Sequence, residues 1–131
     1  SSKFLLIITF FCCSLLSYSQ KVDCKKFKNG EFYYPGLEDK ITIRKDSIQG
    51  SYSNGNLEIM WDVVWKNDCE YDIICSKIYN KKIPVEIGDR IAVKIVSTKK
   101  KCYSSELTVF NSSFPEGMTL PDGPFELCLN E

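Results

Sequence analysis

Between Leu57 and Lys66 the apolar residues Leu57, Ile59, Trp61, Val63 and Trp65 are interleaved with Glu58, Met60, Asp62, Val64 and Lys66. A helix would scatter such a set around its circumference, whereas a strand places it on one face. The same alternation marks inward sets at Phe32 and Tyr34, Ile41 and Ile43, Ile48 and Tyr52, Tyr71 and Ile73, Ile91 with Val93 and Ile95, Leu107 with Val109, and Phe125 with Leu127. Turn signals separate them: Asn29-Gly30, Pro35-Gly36, Asn54-Gly55, Gly88-Asp89, Glu116-Gly117 and Pro121 to Pro124. Asn54-Gly55 suits a tight hairpin between a strand at 47–53 and one starting at Asn56, and Lys99 to Lys101 sits at the tip of a second hairpin. No stretch past residue 20 holds a helical period for three turns, although Ile83 to Gly88 has room for a short helix. The pattern predicts an all-β antiparallel meander of seven or eight strands, forming a small lipocalin-like barrel or half-barrel.

The N-terminus has a different grammar. Lys3, an uncharged apolar run from Phe4 to Leu16, and Ser17-Tyr18-Ser19 ahead of Gln20 follow the order of a cleavable secretory signal. The run is too short to span a bilayer, which takes about 20 apolar residues. We therefore expect a signal helix in 1–19, a single β domain in 20–131, no transmembrane segment in the mature chain, and export to the periplasm or the extracellular space. The mature part carries 16 basic and 17 acidic side chains, a balance that argues against nucleic acid as a partner. His is absent, which removes the usual general base and the commonest metal ligand.

Export changes the meaning of the cysteines. Of the seven, Cys12 and Cys13 lie in the apolar run, leaving Cys24, Cys69, Cys75, Cys102 and Cys128 where disulfides persist. Parity puts Cys69 and Cys75 on the inward face of Tyr71 and Ile73, and Cys102 and Cys128 on outward faces of late strands, able to pair if those strands are neighbours. That leaves Cys24 for Cys69 and makes Cys75 a buried free thiol, although spacing alone does not fix the connectivity.

Asp68, Glu70 and Asp72 fall at alternate positions of one expected strand, a spacing open to carboxylate catalysis or Ca²⁺, but more in keeping with a wet strand face. The rings of Phe32, Tyr34, Tyr52, Trp61, Trp65, Tyr71 and Tyr103 point inward by parity. They either fill a barrel or line a pocket for a small apolar ligand, with Trp61, Trp65, Tyr71, Tyr52 and Phe32 the leading pocket candidates. Asn111-Ser112-Ser113 fits an N-glycosylation sequon, and Asp46-Ser47-Ile48 resembles an O-glycosylation signal of exported Bacteroidetes proteins.

Three phrases in order, Cys24 to Phe32 (CKKFKNGEF), Arg44 to Gln49 (RKDSIQ) and Trp65 to Tyr71 (WKNDCEY), resemble a group of small exported flavobacterial proteins with a CxxFKxGxF opening and a WxxDCEY centre. The group has no established activity. The likeness covers Cys24 to Ile73 well and fades by Tyr103. It implies a Cys24–Cys69 bridge; Cys75, Cys102 and Cys128 depart from its pattern. Members often carry the label DNA topoisomerase IV, which does not suit a short, neutral, exported chain without a phosphate loop.

These features point to an exported, non-enzymatic β protein binding a small ligand or a surface, without cofactor, metal site or catalytic residue. The alternatives are a small carboxylate-dependent hydrolase or lyase, and a protein-binding adaptor or inhibitor presenting a sheet edge.

Overall fold

The computed structural model describes residues 22–131, so the expected signal helix lies outside the described residues. A 3-10 turn, Lys25–Phe27, leads into β1 (Gly30–Tyr34), β2 (Leu37–Lys45), β3 (Ile48–Ser53), β4 (Asn56–Asn67), β5 (Glu70–Ile78), β6 (Arg90–Lys99), β7 (Cys102–Phe110), β8 (Met118–Thr119) and β9 (Phe125–Leu129). Each strand from β1 to β7 pairs antiparallel with the next, and β7 then shares its other edge between β9 at Cys102 to Ser105 and β8 at Thr108 to Val109. β9 returns to β1, closing an eight-stranded barrel with β8 as an extra strand. The closing seam is only two residue pairs long, Phe32 with Leu129 and Tyr33 with Cys128. Just past it, the Asn130 N–H donates to the Glu31 carbonyl at 2.8 Å.

Local chemistry explains the tight turns. Asn54 and Gly55 have φ of 51° and 79°, the pair of positive values that a type I′ hairpin needs. Lys99 and Cys102 close the second expected hairpin around Lys100 and Lys101. The Ile83 to Gly88 stretch is a chain of turns rather than a short helix. Pro84 supplies no N–H to a helical ladder, and Ile83 and Val85 pack on the core.

The interior differs from the parity reading in two strands. In β2 the buried residues are Thr42 and Arg44, while Ile43 is exposed; in β3 Gln49 is buried and Ile48 is half exposed. The cause is a β-bulge. Tyr52 pairs with Leu57 but Ser51 pairs with Ile59, so Glu58 is an extra residue in β4 and the parity of that strand reverses there. Leu57 and Tyr52 therefore lie outside, and everything paired through β3 to β2 is turned with them. Gly50 fits this outer face: a Cβ on it would come within 2.8 Å of the Tyr52 ring.

The inward sets of the other strands stand as expected, with Phe32, Tyr71, Ile73, Val93, Ile95 and Leu127 all in the core. Both bridges form, Cys24–Cys69 and Cys102–Cys128, and Cys75 is a buried free thiol. Cys102 and Cys128 are register partners on neighbouring strands, outside the core cluster as parity requires, yet Cys128 is only 2% exposed. Among the described residues, no helix is long and apolar enough to cross a membrane.

Candidate functional site in the barrel interior

The 3-10 turn plugs one end of the barrel, tied there by the Cys24–Cys69 bridge to the β4–β5 turn. Phe27 from this plug is fully buried against Tyr103, their ring centroids 5.0 Å apart. On it rests Arg44, 1% exposed, the largest of the fully buried side chains. Its Nε donates to Gln49 Oε1 at 2.9 Å, its Nη1 to the Phe27 carbonyl at 2.6 Å, and its Nη2 to the hydroxyls of Tyr71 and Tyr103 at 2.7 and 3.0 Å. The guanidinium also lies 4.7 Å from the Phe32 ring and 4.6 Å from the Tyr71 ring. No carboxylate pairs with it among the described residues. Neutral dipoles and π faces alone hold this cation, although burying an uncompensated charge costs several kcal/mol.

Above the guanidinium lies a cavity of about 160 Å³. Arg44, Gln49, Tyr71 and Tyr103 form its floor, and Ile73, Ile91, Val93, Leu107, Phe125 and Leu127 form apolar walls, with Tyr34, Ser51, Trp61 and Ser105 between. Among the described residues, none that lines it is acidic. Trp61 Nε1 donates to Ser51 Oγ at 2.9 Å, which fixes the indole in the wall. Burial pushes the Tyr71 phenol well above its ordinary range and raises that of Tyr34, so both hydroxyls stay protonated donors at physiological pH.

The five expected pocket aromatics separate into three groups. Trp61 and Tyr71 line the cavity. Phe32 and Trp65 lie beneath it: Phe32 packs edge-on against Tyr103 at 5.8 Å, and Trp65 is tilted against Tyr71 at 4.4 Å. Tyr52 is on the outer surface with Ile43, Ile48 and Met60, placed there by the Glu58 bulge. The residues that parity missed are Arg44, Gln49 and Ser51, whereas Ser105 shares the inward parity of Leu107 and was passed over as a small polar residue. Gln49 faces Trp61, and Arg44 faces Gln49, only through the register that the Glu58 bulge imposes.

The acidic trio lies on the outer face of the barrel, where Asp72 is nonetheless buried. Asp68 is in the β4–β5 turn rather than a strand, paired with Lys28 at 2.8 Å; hydrogen bonding to Lys28 lowers its pKa. Asp72 lies between Lys66 at 3.4 Å and Arg90 at 3.3 Å, and Glu70 faces Lys94 across the sheet. Each carboxylate thus faces a cation across its strand or turn. Burial raises the Cys75 thiol pKa, and the Asp89 charge adds to it, so this cysteine is not an activated nucleophile.

Comparison of the chain with protein-family models, with curated proteins and with solved structures finds no match. The interior has to be interpreted from its own chemistry.

Proposed function

We propose that this protein is an exported, non-enzymatic β-barrel that holds one small ligand in its interior. The observation that carries the reading is the cavity itself, with apolar walls above a floor rich in hydrogen-bond donors inside a closed barrel. Gln49 and Ser51 spend only acceptor atoms, on Arg44 and Trp61, and Ser105 has no side-chain partner among the described residues, whereas a filled core would place aliphatic side chains at such positions. Here they share a space with Trp61 and Phe125, the mixture by which ligand pockets combine affinity with orientation. The volume suits a molecule of roughly benzene size, since an apolar cavity of about 150 Å³ accepts benzene. The two bridges support export, because disulfides persist in oxidising compartments.

Native mass spectrometry of the exported protein, paired with a cavity-filling Leu107→Trp variant, tests this. The wild type should carry a co-purified small molecule, and the variant should lose it while keeping a cooperative melt. A wild type seen only at its sequence mass, with tryptophan fluorescence unmoved by small arenes or acids, would rule the reading out. A protein-binding adaptor is the second reading, favoured by the apolar outer face of Ile43, Ile48, Tyr52 and Met60.

A further inference from the structure

The hydrogen-bond arithmetic of the floor specifies the kind of atom it receives. A guanidinium has five N–H groups, and four of those on Arg44 are accepted by Gln49, the Phe27 carbonyl, Tyr71 and Tyr103. The fifth, on Nη1, has no acceptor among the described residues. Tyr71 and Tyr103 are 2.9 Å apart, hydroxyl to hydroxyl, so one donates to the other and the second phenolic proton has no acceptor among the described residues. Gln49 spends its Oε1 on Arg44, and its amide N–H groups have no protein partner among the described residues. Around one buried cation there are therefore spare donors of three kinds and no acid. Such a floor selects an acceptor that carries negative charge.

The charge is limited to one. A single guanidinium in apolar surroundings neutralises a monoanion, whereas a phosphate dianion would bring a second charge into a space with no second cation. Planar, two-oxygen acceptors also suit donors spread over a guanidinium, an amide and a phenol. We propose that the ligand of this barrel is a small monocarboxylate with a single ring or short branched chain. Its carboxylate sits on Arg44, Gln49 and the tyrosine pair, and its apolar end lies between Ile91, Leu107 and Phe125. This rests on the interior-ligand reading and adds the chemical class to it.

The test compares acids with their uncharged isosteres on the mature protein with both bridges intact. Benzoate and cyclohexanecarboxylate are titrated against benzamide and cyclohexanecarboxamide at pH 7, by calorimetry and by the combined fluorescence of Trp61 and Trp65. Each acid should bind at least about tenfold more tightly than its amide. Gln49→Leu should weaken the acids several-fold and the amides less, since both head groups accept from its N–H, and Arg44→Met, where it folds, should abolish the preference. Equal affinities for acid and amide, or a preference that survives Arg44→Met, overturn the carboxylate assignment while leaving an interior ligand standing. If none of the four compounds binds and no ligand co-purifies, the interior-ligand reading fails as well, and the assignment with it.

Discussion

Arg44 is a cation kept where cations are rarely kept, and its neighbours bear the consequences. Tyr71 and Tyr103 serve it as neutral acceptors, and burial keeps the Tyr71 phenol protonated well beyond the pH at which an exposed phenol ionises. Linkage gives the sign. A pKa raised by folding contributes stability that is complete below the unfolded value of about 10 and is lost as pH rises through the folded value. Guanidinium denaturation between pH 8 and 11.5 should therefore show stability falling above about pH 10, by up to about 1.4 kcal/mol per pH unit for each retained phenolic proton. Tyr71→Phe should flatten that fall. An unchanged slope in the variant would mean that Tyr71 is not the group holding its proton.

The strands that carry the site are those whose orientation was hardest to see. β4 alternates so regularly that its inward face is plain from Ile59 to Trp65, and β5, β6 and β9 follow the same rule. Eight barrel strands and both hairpin turns were also legible, since they depend on local turn chemistry, and parity put Cys102 and Cys128 on outward faces that could meet; Cys24–Cys69 rested on elimination and on the likeness to the flavobacterial group. One residue, Glu58, escaped that logic. A bulge leaves no mark in the hydrophobic pattern when residues on both sides of it are apolar, yet it turns the neighbouring strand inside out. Ile41, Ile43 and Ile48 then imitate a buried face while Thr42, Arg44 and Gln49 form the real one. Paired substitutions measure this directly. Ile48→Lys should change stability by no more than about 0.5 kcal/mol, as a surface position does, whereas Val63→Ala should cost about 2 kcal/mol through the cavity it leaves. A loss of several kcal/mol from Ile48→Lys would put β3 the other way round.

At the scale of the whole molecule, the two bridges hold the floor and the seam. Cys24–Cys69 spans 45 residues and fastens the plug that carries Phe27; Cys102–Cys128 spans 26 and joins β7 to β9 beside the closing pairs. In the chain-entropy account these loops are worth about 4 and 3.5 kcal/mol respectively. Removing Cys24 and Cys69 together as alanines should lower Tm by roughly 15–25 °C, slightly more than removing the other pair, as read by calorimetry. Equal stability with and without the first bridge would mean that the plug holds by packing alone.

The short seam between β1 and β9 also sets an order in time. The β2–β3, β3–β4 and β6–β7 hairpins join residues close in sequence and can form early, but Glu31 and Asn130 meet only after a loop of 99 residues has closed. The chain should therefore pass through a curled, open sheet with two bare edges before it becomes a barrel. While that sheet is open, the guanidinium of Arg44 stands in water at no electrostatic cost. Its desolvation should coincide with ring closure, which puts the burial of this charge late in folding rather than early.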